Sequence, residues 1–312
     1  MRLCFVNAAG PPRPPCPSQG ATAMHLPPAL TRRAATTWLL GVALLPSASA
    51  WANPVSRLYE NMARSKKRFA TPQDQVRAEP TLIHGLYRLV SRQGDGMGFV
   101  NAAGTLYGSA NGFTYIPPQG GGPRPLSPAE QAAMQKEMLA ALDTAQLIRV
   151  PYGDGGGRRL LLLSALDCPV CKKLEAKLLQ LQDRLNTTFY IAPLSLRAPD
   201  SAAGPKAWGQ VARLWCAPDR AQAWQTYWRD GSLPTASDSA CAFNSPQKAA
   251  RAYLGLHAAL LSAGVEIKGT PTLLLEDGRR LPFQSSRSDA DWLRQLGPQT
   301  APAQAAPAPQ WL

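Results

Sequence analysis

The sequence predicts an α/β chain with a mixed sheet in its C-terminal half, and three observations carry that expectation. The run "RLLLLSAL" (Arg159–Leu166) is almost continuously apolar, as a strand buried on both faces would be. An amphipathic stretch follows it closely, with Leu174, Leu178, Leu181 and Leu185 on one helical face. Beyond it lie a second strand-like run, "TTFYIAPLSL", helical patterns over Lys206–Arg229 and Ser245–Ala263, a hairpin signal and a closing helix. Strand, helix, strand, helices, hairpin and helix is the order of an α/β layer fold.

The smaller elements follow from local chemistry. "TPTLLLEDGRRLPF" reads as two strands joined at Asp277-Gly278, and "SDADWLRQLG" as the short last helix. Near the other end, "NPVSRLYENMARSKKRFA" sets Val55, Leu58, Tyr59, Met62 and Phe69 at helical spacing. "TLIHGLYRLVS" and "GMGFVNAAGTLYGSANGFTYI" mix β-branched and aromatic residues between turns at Gly94-Asp95-Gly96 and Asn101 to Gly104. The glycines Gly94, Gly96 and Gly98 precede no helix pattern and no lysine, so they read as hairpin geometry rather than a phosphate loop. "PPQGGGPRP" marks a boundary, and Ser127-Pro128-Ala129-Glu130 matches a capping box. The alanine-rich helix that follows carries Met134, Met138, Leu142 and Leu147 near one stripe. It is either a semi-rigid spacer or a helix packed flat on a neighbour. His84 and His257 have no partners at ligand spacing and read as packed or surface side chains, with no metal site.

Five segments result: a leader and signal peptide over 1–52, an N-terminal domain over 53–122, a linker helix over 123–150, a domain over 151–297, and a Pro/Ala-rich tail over 298–312 expected to be disordered. Met24, a possible true start, precedes Arg32-Arg33, the apolar core "AATTWLLGVALLP" and the small residues "SASAWA". That is the pattern of a secretory signal peptide, cut after Ala50 or Ala52, and the apolar run is short for a membrane span. The whole chain carries a formal charge of +13; four arginines and no acids precede residue 53, leaving +9 for the remaining 260 or so residues. The basic clusters Lys66-Lys67-Arg68, Arg158-Arg159 and Arg279-Arg280 are scattered without interleaved aromatics, which argues against nucleic acid as a partner.

Beyond the leader, which holds Cys4 and Cys16, four cysteines remain: Cys168, Cys171, Cys216 and Cys241. An even number in an exported chain favours disulfide chemistry, with a Cys4 zinc site as the competing reading. In "DCPVCKK", a helix starting near Pro169 places the Cys168 sulfur at unpaired backbone N–H groups and the positive end of the helix dipole. Those groups stabilise a thiolate, the form that attacks a disulfide. Cys171 follows one turn later on the same side, close enough to close a small ring. Lys172 and Lys173 add a favourable field, and Asp167 opposes it if its carboxylate turns inward. A static disulfide or half of a metal site is the plainer reading; the strand–helix junction favours redox chemistry.

At these residues the chain resembles the periplasmic thiol:disulfide interchange proteins of the DsbC/DsbG family, within the thioredoxin-like superfamily. "CPVC" after an apolar strand, "GTPTLLLEDGRRL" with Thr270-Pro271, the pair Cys216…Cys241 in "LWCAPDRAQAWQTYWRDGSLPTASDSACAFN", and "FVNAAGTLYGSANGFTYI" carry the likeness, over about residues 80 to 297. The resemblance implies a thioredoxin-like domain with a helical insertion, preceded by a small α+β, cystatin-like dimerisation domain and a linker helix. Cys168 and Cys171 would be catalytic, and Thr270 with a cis Pro271 would present a backbone edge to substrate. Cys216 and Cys241 would form a structural disulfide, with a second redox pair as the alternative, and Trp224, Tyr227 and Trp228 at helical spacing read as core. No cofactor is implied. The implied partners are exported disulfide-containing clients, a membrane thiol reductant of the DsbD type and a second copy in a V-shaped homodimer. Isomerisation or reduction of wrong disulfides is the implied activity. A dedicated reductase or oxidase for one secretion or conjugation partner, or a non-enzymatic holdase, are the alternatives.

Overall fold

The computed structural model describes residues 53–154, 157–284 and 286–297; the expected leader and signal peptide at 1–52 and the expected disordered tail at 298–312 lie outside the described residues. Asn53 caps α1 (Pro54–Arg64): its side chain accepts the Val55 N–H at 3.0 Å, and Pro54 sits in the first turn, where no amide partner is needed. The helix buries Val55 and Leu58 with Val76, Leu89, Val100 and Ile116. The last four belong to an antiparallel six-stranded meander and the segment after its fifth strand: β1 (Val76–Pro80), β2 (Leu86–Ser91), β3 (Gly96–Asn101), β4 (Leu106–Ser109), β5 (Gly112–Tyr115) and β6 (Arg124–Pro125). Phe69, which the periodicity places on the same helix as Leu58, lies beyond its end. It folds back instead onto Tyr59 and Tyr107, with ring centroids 5.2 and 5.1 Å away. Buried Asn61 donates to the Ala103 and Gly104 carbonyls at 3.2 and 2.9 Å, clasping the β3–β4 turn against α1. Residue 104 has φ +68, and a Cβ there would run into the Leu58 backbone, so only glycine fits this approach.

The helix after the boundary, α2 (Pro128–Ala140), starts at the expected capping box. Ser127 Oγ accepts the Glu130 N–H, and the Glu130 carboxylate accepts the Ser127 N–H. It is shorter than the 123–150 stretch and is not a free spacer. Met134, Met138 and Leu139 are buried in the main core, and Gln131 and Gln135 donate to the Ala263 carbonyl at 3.2 and 2.8 Å. Leu142 leaves the helical stripe for a single antiparallel bridge with Ile83. Ile148, at the end of the alanine-rich pattern, opens a strand instead, β7 (Ile148–Tyr152), whose Ile148, Val150 and Tyr152 point inward while Arg149 and Pro151 point out. Pro151 is tolerated because β7 is an edge strand.

The second sheet has the order β11-β10-β8-β9-β7, with β8 (Arg158–Ala165), β9 (Thr187–Leu194), β10 (Thr272–Leu275) and β11 (Arg280–Leu281). It takes in β7 and so begins at Ile148, before residue 151. β8 and β9 run parallel through the crossover helix α3 (Pro169–Leu181), and the β10–β11 hairpin lies antiparallel on the other side of β8. Helices α4 (Gly204–Trp215), α5 (Arg220–Asp230) and α6 (Pro246–Ser262) are inserted between β9 and β10, and α7 (Asp289–Leu296) closes the chain. This is a thioredoxin-like fold with a helical insertion. The pattern over Lys206–Arg229 is two helices rather than one, because Pro218 interrupts it and Asp219 caps the second, accepting the Gln222 N–H at 2.9 Å. Trp208, Trp215 and Trp224 are buried side chains of the core. Cys216 and Cys241 are joined in a disulfide with Cα atoms 5.6 Å apart, tying the end of α4 to the loop before α6.

The replacement of both Cys216 and Cys241 by serine is expected to lower the unfolding free energy by roughly 2–4 kcal/mol, since that bridge restricts the unfolded chain. Urea unfolding of the double variant checks this; an unchanged midpoint would show that the bridge does not stabilise the insertion.

Candidate active site

β8 ends at Ala165, and its neighbour β9 holds the turn that follows: the Leu166 N–H donates to the Leu194 carbonyl at 3.0 Å. The Cys168 N–H then bonds the Ala165 carbonyl at 3.2 Å, so the sulfur arrives at the start of α3 in a fixed position. Cys168 is the N-cap residue. Its backbone is extended (φ −100, ψ 118), and its Sγ accepts the Cys171 N–H at 3.3 Å. In this role sulfur replaces the hydroxyl or carboxylate oxygen that usually satisfies a helix's first amides. Pro169, with no N–H to satisfy, fills the first helical position.

Across the sulfur stands the segment before β10. The Cys168 thiol donates to the Thr270 carbonyl at 3.5 Å, and the Thr270–Pro271 peptide is cis. Cys171 lies deeper and is fully buried, its Sγ accepting the Ala165 N–H at 3.4 Å. The structure therefore brings together Cys168, Cys171, Thr270 and Pro271 and keeps the Cys216–Cys241 bridge apart as a separate disulfide. Burial pushes the Cys168 thiol up, but hydrogen bonding by the Thr270 side chain, by the Cys171 side chain and by the Cys171 and Val170 amides outweighs it, and the group ends below the ordinary cysteine value. For Cys171 burial dominates. It is pushed up to about 12, the neighbouring Cys168 adding to the effect against opposing bonds from Thr270 and the Ala165 amide. The two thiols are thus separated in acidity by depth and by their places on one helix turn.

Asp167 does not turn toward the sulfur. Its carboxylate accepts the Ser195 hydroxyl and the Leu196 N–H, both at 2.8 Å, in the loop after β9. His84 is exposed beside Asp143, its Nε2 3.8 Å from the carboxylate, and His257 stacks on Tyr253, with ring centroids 5.7 Å apart, where burial lowers its pKa.

One group at this site is not singled out by sequence reasoning. Glu175, one turn after Cys171 on α3, is only 2 % exposed. The Ser164 hydroxyl donates to it at 3.0 Å and the Trp224 indole N–H at 3.1 Å. Burial pushes its carboxyl up to about 7, against these two bonds. The one available signal is its spacing of four residues from Cys171, on the apolar face; in "CKKLEAK" it otherwise reads as one more charge on a wet helix.

A family model described as a thioredoxin-like domain matches residues 152–294. No match is found among the curated proteins. Among solved structures, a disulfide interchange protein from Neisseria gonorrhoeae is similar at 27% identity, covering 49% of this chain and 93% of its own, with a TM-score of 0.34. The catalytic domain of Proteus mirabilis ScsC follows at 18% identity, covering 53% and 94%, with a TM-score of 0.34. MdbA, a thiol-disulfide oxidoreductase from Actinomyces oris, is similar at 13% identity over 51% and 89%, with a TM-score of 0.26. The domain match and the geometry of Cys168 and Cys171 support thiol–disulfide oxidoreductase chemistry.

The raised pKa of Glu175 links stability to pH. Because the folded value lies above the ordinary 4.5, its favourable contribution is complete below about pH 4.5 and is lost as the pH rises through about 7. Glu175→Gln, always neutral, should remove that decline. Urea midpoints measured from acid to neutral pH should therefore fall in the parent relative to the variant; parallel curves would contradict the buried carboxyl.

Proposed function

We propose that the protein exchanges disulfides in exported proteins, isomerising or reducing wrong pairings through Cys168 and Cys171. The observation that carries this reading is the Cys168 sulfur capping α3, with the Cys171 amide on it and the Thr270 backbone opposite. In the first step the Cys168 thiolate attacks one sulfur of a client disulfide. A Cys168–client bond forms, the client S–S bond breaks, and the second client sulfur leaves as a thiolate that takes up a proton. From that mixed disulfide two routes run. On one, another client thiolate attacks the client sulfur of the mixed disulfide, which breaks the Cys168–client bond, restores the Cys168 thiolate and leaves a new client pairing. Otherwise Cys171, after losing its proton, attacks Cys168, releasing the client as a reduced dithiol and leaving the site two electrons oxidised.

The acidity of Cys171 favours the first route. Its thiol stays protonated in a buried site, so resolution from within is slow and the client has time to rearrange. The backbone of Thr270, just before β10, offers β-type pairing to a client segment, which gives affinity with little demand on side chains. The likeness to the DsbC/DsbG group extends the proposal: export to the periplasm by the N-terminal signal, re-reduction by a membrane thiol reductant of the DsbD type, and a homodimer formed through the α1–meander portion.

Refolding of a scrambled multi-disulfide protein with the reduced chain in a glutathione buffer tests the proposal. Native pairing should be recovered well above the buffer rate, and Cys168→Ala should abolish the gain. Aggregation suppressed equally by parent and Cys168→Ala, with no gain in native pairing, would replace the enzyme with a holdase.

A further inference from the structure

Beside Cys168, on the side away from the segment before β10, the chain leaves β9 through Ser195, Leu196 and Arg197, and this loop is held unusually firmly. Asp167, the residue immediately before Cys168, accepts both the Ser195 hydroxyl and the Leu196 N–H at 2.8 Å. Ser195 Oγ in turn accepts the Arg197 N–H at 3.0 Å, and the Arg197 carbonyl accepts the indole N–H of buried Trp208 at 2.9 Å. The loop backbone is therefore fastened to the catalytic turn on one side and to α4 on the other. Yet the side chain it presents is a leucine that is 56% exposed. Val170, between the two cysteines, is likewise 44% exposed.

An exposed leucine on a slack loop needs no explanation, but one on a loop pinned to the residue beside a reacting sulfur is held out at a fixed place. From this geometry we propose that Leu196, with Val170, forms an apolar subsite for the residue next to the client's half-cystine, making Leu196 a specificity-determining residue of the exchange reaction. The inference rests on the proposed function, since a client must lay the chain around its disulfide over Cys168 for the sulfur to be attacked. Thr270 takes the backbone on one side of Cys168. On the other side, the first groups the client meets are Val170 and Leu196, and an apolar side chain there removes three exposed hydrophobic surfaces from water at once. Asp167 is the positioning residue: its carboxylate bonds the loop at Ser195 and Leu196, and so holds Leu196 to the turn that carries Cys168.

The test uses the full reduced protein and three disulfides: oxidised glutathione, and two short peptides linked as disulfide dimers, with leucine or with serine next to the cysteine. Second-order rate constants for reduction are measured for the parent, Leu196→Ser and Leu196→Met. Leu196→Ser keeps the backbone N–H that Asp167 binds. The parent should prefer the leucine peptide by about fivefold to tenfold, the range expected for partly burying such a side chain. Leu196→Ser should erase the preference, Leu196→Met should retain most of it, and the glutathione rate should be unchanged in all three. A parent that reacts with all three disulfides but shows no preference, a preference that survives Leu196→Ser, or a loss that appears equally with glutathione would each overturn the subsite while leaving exchange chemistry intact. A parent that reduces none of the disulfides would overturn the functional reading and the subsite with it.

Discussion

Helix α3 begins with its free amides gathered on a single sulfur, and the surrounding structure can be understood as what is needed to keep that sulfur there. A thiolate is large, polarisable and less strongly hydrated than an oxygen anion, so less is lost when fixed N–H groups take the place of water. Placing it at an N-cap supplies those groups without burying a compensating cation, and the helix dipole adds to them. The arrangement holds only if the turn from β8 into α3 is rigid. The Leu166 and Cys168 amides, bonded to Leu194 and Ala165, provide that rigidity from the sheet.

Depth is the second constraint. Two cysteines three residues apart on a helix start would have similar chemistry if both were equally wet. Here the first keeps a small exposed surface, 6 %, and the second is sealed below it, so the first is held below the ordinary cysteine value and the second above it. The same sealing captures Glu175, which remains inside because Ser164 on β8 and Trp224 on α5 each give it a hydrogen bond. Trp224 thereby ties the helical insertion to the catalytic helix, and the Cys216–Cys241 bridge braces the insertion from its far end. Packing of the insertion and acidity at the site are thus parts of one arrangement.

Much of this was legible in the residues, for identifiable reasons. Apolar Leu160 to Leu163 and the cap-like placement of Cys168 before Pro169 announce the strand, the turn and the helix, since each is decided by neighbours in sequence. Ser127 and Glu130 announce α2 in the same way. What escaped was decided by partners distant in sequence. The segment after Leu142 continues a helical composition, but Ile148 pairs with Ile191 and the chain becomes an edge strand. The split of α4 from α5 is the exception, since Pro218 and the Asp219 cap that make it are local signals. Glu175 looks solvated until Ser164 and Trp224 close over it. Asp167 gives no sign in sequence that its carboxylate serves Ser195 and Leu196 rather than opposing the thiolate.

The central claim is that the helix start and the Thr270 segment together make Cys168 more acidic than an ordinary thiol, despite its burial. Titration of the reduced protein by thiolate ultraviolet absorbance, with Cys168→Ala to assign the step and Cys171→Ser to isolate it, measures this directly. The account predicts a Cys168 step clearly below the usual value of about 8.5, present in the parent and absent in Cys168→Ala. A first thiolate step at or above that value would contradict it.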